Sequence, residues 1–181
     1  MAVGNLVKRL QDIMRNDAGI NGDAQRIEQM VWMFFLKVYD AAEEDWELDA
    51  FDKSEDFKSI IPESLRWRNW APSKDEEGKL KSDFLTAQAL LDFINEKLFR
   101  VLKGEDSLDG SIKGIQVTRE TARHQAVVHD VFQEVNQYMK NGVLLRQMID
   151  EIDAVDLSMI LSPCPLHLLR VPNYASGVVR G

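Results

Sequence analysis

The chain has 181 residues, 45% of them hydrophobic and 29% charged, which is enough for one globular domain with a buried core. Its longest apolar run, residues 30–36, is far shorter than the ~20 residues that span a bilayer, so no membrane segment is predicted. The net charge of −8 opposes tight, independent DNA binding. The lone Cys164 excludes an internal disulfide, which fits a reducing compartment, so we expect a cytoplasmic protein.

The negative charge is concentrated in one segment. Residues 40–56 carry nine acidic side chains and one basic side chain, Lys53, which accounts for the whole excess. The rest of the chain is therefore close to neutral. This pattern leaves room only for a local basic face that a larger assembly directs at DNA.

The first two helices follow from the spacing of apolar residues. Residues 3–15 place them three and four apart, which predicts an amphipathic helix that ends in an Asn- and Gly-rich turn. Asp23 is a suitable N-cap for a second helix, and residues 30–36 make its middle apolar on every face. That pattern predicts the central helix of a bundle, fraying near residues 46–49. A surface for a partner or an adjoining domain is the alternative use of the apolar stretch.

Two prolines separate the second helix from the third. Because Pro62 and Pro72 interrupt helices, residues 63–71 are predicted to form a short helix or an ordered loop. A polar linker follows, and Ser82 or Asp83 is then expected to cap a third helix.

The third helix contains a regular apolar seam. From Phe84 to Val101 apolar residues recur every three or four positions, and Gly104 is predicted to end the helix. A fourth helix is predicted from about Thr118, with an apolar face that extends to Met139. Asn141-Gly142 is expected to break it, and residues 144–155 supply a fifth helix.

These elements define the predicted fold. No segment alternates polar and apolar residues over the length of a strand. The sequence therefore predicts an all-α bundle of about five helices over residues 1–161. Residues 162–181 hold three of the five prolines and no periodicity, and we predict an irregular C-terminal tail there.

Patterns that support catalysis are weak. His124 and His129 are five residues apart and so lie on different helix faces, while His167 is in the tail, which disfavours a metal site. No nucleophile motif surrounds Cys164 or the serines. Paired carboxylates could act as acid and base, but without a Glu-x-x-His partner a solvated helix face is favoured. We predict no catalytic, cofactor-binding or metal-binding residue in this chain.

The stretch IIPESLRWRNW, residues 60–70, interleaves arginine with tryptophan, as nucleic-acid-binding segments do. The acidic segment directly before it weakens that interpretation. We expect Arg66 to pair with an acidic side chain, while Trp67 and Trp70, one helical turn apart, seal the bundle.

Several stretches stand in a specific order across residues 6–157. They are the helix LVKRLQDIMRN, the run Phe34-Phe35-Leu36-Lys37-Val38-Tyr39-Asp40, the element Pro62-x-x-x-Arg66-Trp67, and the helix Leu145-Arg146-x-x-Ile149-x-x-Ile152-Asp153. Together they resemble the N-terminal helical domain of the modification (methyltransferase) subunit of type I restriction-modification enzymes. The residues that carry this signature, with an expected structural role, are Phe34, Phe35, Leu36, Tyr39, Pro62 and Trp67.

The resemblance implies a bundle that precedes a DNA methyltransferase domain acting on adenine N6 with S-adenosylmethionine. In that family the subunit pairs with a DNA-specificity subunit, and two modification subunits close around DNA with their helical domains helping to form the clamp. This sequence has no Asn-Pro-Pro-Phe/Tyr motif for a flipped adenine and no Gly-rich strand-turn-helix for the cofactor. We therefore expect S-adenosylmethionine only in the full-length subunit, and no methylation by this chain alone. The tail after Leu157 departs from the family pattern.

Three hypotheses of function remain. The leading hypothesis is an interaction module that contacts the specificity subunit, a second modification subunit and DNA. The alternative is a stand-alone helical adaptor or regulator with no role in methylation, and an enzyme using carboxylates is the least favoured. If the domain faces DNA, the residues expected to touch phosphates or a partner are Lys37, Arg66 and Arg68. Pairing of the two arginines with the acidic segment is favoured over that contact.

Overall fold

The computed structural model describes residues 3–156 apart from residues 76 and 83. Within these residues the protein is all-α, as predicted, with one isolated bridge between Lys74 and Leu80 and no β-strand. The helical elements in chain order are α1 (Val3–Met14), α2 (Asp23–Asp52), a 3₁₀ turn (Glu63–Leu65), α3 (Trp67–Trp70), α4 (Ala87–Asp92), a π-helical segment (Phe93–Leu98), α5 (Phe99–Leu102), α6 (Arg123–Glu134) and α7 (Gly142–Asp153). The predicted tail, residues 162–181, lies outside the described residues.

α1 and α7 pack against each other through apolar faces. α1 buries Leu6, Leu10 and Met14, which recur every four residues on one face of the predicted amphipathic helix. α7 begins at Gly142, two residues before the predicted start, because the Asn141 side chain accepts hydrogen bonds from the first amides of the helix. Asn141 is therefore an N-cap and not only a helix breaker.

α2 is longer than predicted. Gly22 is its extended N-cap residue, so Asp23 is the first helical residue rather than the cap. The predicted fraying near residues 46–49 is wrong, since the helix continues to Asp52. The Trp46 ring contacts Tyr39 at a centroid distance of 5.6 Å, and cationic side chains bind Glu47 and Asp49, which stabilises this stretch.

α2 also buries one side only. Trp32, Met33 and Leu36 are buried, whereas Phe34 and Phe35 are half-buried and packed against the edge of the core. Val31 is 43% exposed, so the bundle does not surround α2 as the prediction of a central helix implied. The stretch 30–36 is apolar all round, but the bundle covers only part of it.

The predicted third helix begins later than expected. Helical structure starts at Ala87 with Thr86 as N-cap residue, so Ser82 is not the cap and Phe84 precedes the helix; Asp83 lies outside the described residues. From Ala87 the α4, π-helical and α5 segments follow without a break, and the chain leaves at Gly104 in a left-handed conformation, as predicted.

Close contact between two backbones explains the late start. A Cβ atom built on Gly142 would lie 1.9 Å from the carbonyl oxygen of Ala87, and Ala87 has a positive φ of 50°. The first residues of α4 and α7 thus approach so closely that only glycine fits at position 142. Because Ala87 is in the left-handed region, a right-handed helix cannot continue back through it toward Phe84.

α6 is shorter than predicted at both ends, spanning Arg123–Glu134 instead of continuing from Thr118 to Met139. Val135 already has extended φ and ψ angles. Polar side chains of distant segments hold residues 135–141 in place. The Gln29 amide oxygen accepts from the Tyr138 amide, and the Asp17 carboxylate accepts from the amides of Lys140 and Asn141. These bonds replace the helical ones, so the helix ends early.

Aromatic side chains join the helices in the centre of the bundle. The Trp32 ring meets Phe99 at 5.2 Å, and Phe99 meets Phe132 at 5.1 Å, both in edge-on geometry. α2, α5 and α6 therefore share one core. No helix in the described part of the chain is long and apolar enough to cross a membrane.

Candidate functional site

The predicted contact residues lie where α2, the 62–70 segment and the end of α7 meet; we call this region the junction. Lys37, in the middle of α2, is half-buried, and its Nζ donates to the carbonyl oxygens of Ile152 at 2.9 Å and Val155 at 2.8 Å, and also to that of Asp153. The last carbonyls of a helix lack partners within the helix, and a lysine supplies three donors. Burial lowers the pKa of Lys37, while Asp153 and Asp156 oppose that shift. Lys37 thus caps α7.

Arg68 is bound to α2 through a buried carboxylate. Its Nε donates to Asp40 Oδ1 at 2.9 Å, and its backbone amide donates to Oδ2 of the same residue at 3.1 Å. The guanidinium also lies 3.2 Å from Glu47 and 3.4 Å from Glu44. Burial raises the pKa of Asp40, although the hydrogen bonds from Arg68 oppose this.

Arg66 pairs with the same stretch of α2. Its Nη1 donates to Glu47 Oε1 at 2.9 Å, and its Nε lies 3.9 Å from Glu43 Oε2. Glu43 is fully buried, and Ser59 donates its hydroxyl to the other carboxylate oxygen at 2.5 Å. Burial raises the pKa of Glu43 more than Ser59 and Arg66 lower it. The expected ion pair between Arg66 and the acidic segment is present.

Trp67 connects the 62–70 segment to α7. Its indole N–H donates to Asp153 Oδ1 at 2.8 Å, and its ring contacts Trp70 at 5.2 Å. Trp67 is 3% exposed, and Pro62 precedes the 3₁₀ turn that leads into α3. Asp153 therefore receives two bonds, from Trp67 on its carboxylate and from Lys37 on its carbonyl, which brings three of the sequence motifs to one place.

The remaining signature residues lie along α2 beside the junction. Leu36 and Tyr39 are buried, and Phe35 contacts Tyr39 at 5.7 Å and Phe132 at 6.4 Å. Phe34 is half-buried against the core. Burial and the neighbouring Glu43 raise the pKa of Tyr39.

Four charged residues of the site were not predicted as contact residues, although three of them stand in the quoted motifs: Asp40, Glu43, Arg146 and Asp153. Arg146 is 5% exposed, donates to the carbonyl oxygen of Ala71 and lies 2.9 Å from Asp150. The signal for three of them is a charged residue at core spacing on a helix. Asp40 and Glu43 follow Leu36 by four and seven residues, and Arg146 precedes the buried Ile149 by three.

The described residues include no group of three or more His, Cys, Asp or Glu side chains placed to hold a metal ion. The His124 ring instead lies against Trp46 at 4.5 Å, and burial lowers its pKa. His167 and Cys164 are outside the described residues. The junction is thus a set of internal ion pairs and caps that fixes the relative positions of three segments.

Comparisons with known proteins agree on one family. The HsdM N-terminal domain family matches residues 3–152. A curated relative, the type I restriction enzyme EcoEI methylase subunit of Escherichia coli, is 38% identical over 159 residues, which are 87% of this chain and 28% of the relative.

Two solved structures resemble the fold. One is a modification subunit of a putative type I restriction enzyme from Vibrio vulnificus YJ016, with a TM-score of 0.64 and 29% identity over 96% of this chain and 36% of that one. The other comes from a study of complex assembly and conformational transition of the type I restriction-modification system, with a TM-score of 0.60, 26% identity, and coverage of 85% and 26%. The chain therefore spans about a quarter to a third of these relatives.

Proposed function

This chain belongs to the HsdM N-terminal domain family, the N-terminal helical domain of type I modification subunits, and from that membership we propose that it serves assembly rather than chemistry. In this proposal the domain helps a modification subunit to associate with a DNA-specificity subunit and with a second modification subunit around DNA. Methylation of adenine N6 with S-adenosylmethionine is proposed for the whole subunit, of which this chain corresponds to a part. Such an assembly acts on DNA, so we propose a cytoplasmic location.

The observation that carries the proposal is the family match over residues 3–152, together with likeness to two chains from type I systems. The charge of the chain is consistent with a role in assembly rather than in direct DNA binding. A net charge of −8 supplies little of the phosphate neutralisation on which DNA affinity depends. DNA affinity is therefore assigned to the complete assembly.

The internal contacts favour an architectural role for the predicted contact residues. Arg66 and Arg68 bind Glu47 and Asp40, and Lys37 binds three carbonyl oxygens. A contact between these residues and DNA or a partner would have to replace or share those bonds. We therefore propose that they position the motifs, and their contact with phosphates stays a prediction.

A pull-down of this chain with the cognate specificity subunit tests the proposal. We expect a stable complex, and a gel shift of target duplex by the specificity subunit that changes when the chain is added. The control is the same assay with a specificity subunit from an unrelated system. Absence of association in both assays would instead favour the stand-alone helical adaptor.

A further inference from the structure

The C-terminal end of α2 exposes two large apolar side chains. Leu48 is 65% exposed and Phe51 is 81% exposed, the highest value among the large hydrophobic residues of the described chain. They are three residues apart on one helix and so lie on neighbouring positions of one face. Neither belongs to the hydrophobic core or packs against its edge. Their apolar surface therefore contributes little to the fold.

Carboxylates outnumber cations around this pair, the exception being Lys53, which pairs with Asp49 at 3.7 Å. Unlike Asp40 and Glu47, which bind arginines, four acidic residues at this end of α2 and just after it are exposed and form no ion pair with another described residue. They are Asp45, Asp52, Glu55 and Asp56. Asp45 lies one turn before Leu48 and Asp52 one turn after it, so negative charge flanks the apolar pair along the helix. We call Leu48, Phe51 and these four carboxylates the acidic tip.

The carboxylates of the acidic tip also destabilise the C-terminal end of α2. The C-terminal end of a helix bears partial negative charge, which disfavours carboxylates and favours lysine or arginine. The last turn of α2 has no basic residue, and Asp52 is its final residue. A feature that breaks a local rule without serving the core is typical of a binding surface.

We propose that the acidic tip is a docking site for a basic amphipathic segment of a protein partner. In this segment lysine or arginine residues flank one or two large apolar side chains, which cover Leu48 and Phe51. Charge selects this occupant over a second copy of the chain, because two acidic tips would repel each other, and over DNA for the same reason. The site goes beyond the proposed function, which assigns subunits but no surface, and its chemistry does not depend on which subunit supplies the segment.

A defined peptide tests the site without any specificity subunit. The probe is a labelled helical peptide of about 15 residues, with leucine on one face and lysine on the other, titrated by fluorescence anisotropy and by amide chemical shifts. We expect saturable binding that weakens with salt, with the largest shifts at residues 44–56. A peptide with alanine in place of leucine keeps the charge and should bind more weakly.

Variants separate the acidic tip from the rest of the surface. The double variant L48S/F51S should lose at least about tenfold in affinity. Leu108→Ser is the matched control, since Leu108 is 64% exposed in a loop, and it should bind as the parent does. Circular dichroism checks that both variants stay helical.

Three outcomes would overturn the site. One is equal binding by L48S/F51S and the parent, and another is a shift map centred on a different element. The third is a dimer of the parent chain in sedimentation that L48S/F51S abolishes, which would make a second copy the occupant. Failure here is distinct from failure of the proposed function, because the pull-down uses the specificity subunit and this titration does not.

Discussion

Trp67 packs edge-on against Trp70 and donates its indole N–H to Asp153, and so couples the segment after Pro62 to the last turn of α7. Because the side chain is 3% exposed, Trp67→Ala should lower the free energy of unfolding by about 3–5 kcal/mol. Urea denaturation measures this loss. Trp67→Phe keeps most of the packing and should cost less. A Trp67→Ala variant that unfolds like the parent but loses a partner would instead make Trp67 a contact residue.

Glu43 gives the fold a pH dependence of defined sign. Burial raises the pKa of Glu43 in the folded state above its ordinary value of 4.5. The folded state therefore holds this proton more tightly than the unfolded state, and stability contributed by the neutral carboxyl is lost as pH rises above about 4.5. Relative to Glu43→Gln, the parent should become less stable as pH increases from 4 to 7.

Denaturation of both proteins across this pH range checks the sign. The two proteins should be closest in stability near pH 4, where the carboxyl is mostly neutral in both states. If the parent gains stability over Glu43→Gln with rising pH, the ion pair with Arg66 outweighs burial, and the account of Glu43 is wrong.

At the residue scale the sequence predicts some side-chain interactions but not others. The pairing of Arg66 with the acidic segment was predictable, because opposite charges lie within 20 residues of each other in the chain. The bonds of Lys37 and Trp67 to Asp153 were not predictable, because they connect positions 86 or more residues apart. Only the packed structure brings such groups together.

At the level of elements, α7 depends on α2 for the termination of its helix. Lys37→Met removes the donor to three carbonyl oxygens and should lower the free energy of unfolding by about 1–3 kcal/mol. Hydrogen exchange should accelerate at the amides of Ala154 and Val155, which bond to the last turn of α7. Lys58→Met is the control, since Lys58 is exposed. Unchanged exchange in Lys37→Met would mean that water caps α7 equally well.

The two ends of α2 should respond in opposite ways to the loss of a carboxylate. Asp52→Asn at the C-terminal end removes an unfavourable interaction with the helix dipole and should stabilise the protein by about 0.3–1 kcal/mol at low salt. Asp23→Asn in the first turn should destabilise it, also because Asp23 pairs with Arg26 at 2.5 Å. Thermal denaturation at two salt concentrations measures both. Equal signs for the two variants would contradict the dipole argument.

The ends of the helices were the least predictable feature. Val135, Tyr138 and Met139 continue the apolar spacing of α6, yet they lie in a non-helical segment with amides that bond to Gln29 and Asp17. Val135 and Met139 are buried all the same, so burial and periodicity were compatible with either conformation. Long-range hydrogen bonds decide between them, and the local sequence carries no sign of those bonds.

At the scale of the whole molecule, the predicted all-α class and the predicted family are confirmed. The ordered motifs indicated the family, and three of them meet at one junction through Lys37, Trp67 and Asp153. The carboxylates of the acidic tip form no ion pair with the described residues, so the sequence offered only their charge as a signal.

The central claim is that this domain serves assembly, and sedimentation of the chain with its cognate specificity subunit and a target duplex tests it most directly. We predict that the chain co-sediments with the subunit and the duplex, and that the chain alone leaves the duplex unbound at the same salt concentration. A chain that sediments alone in the presence of both components would contradict the claim.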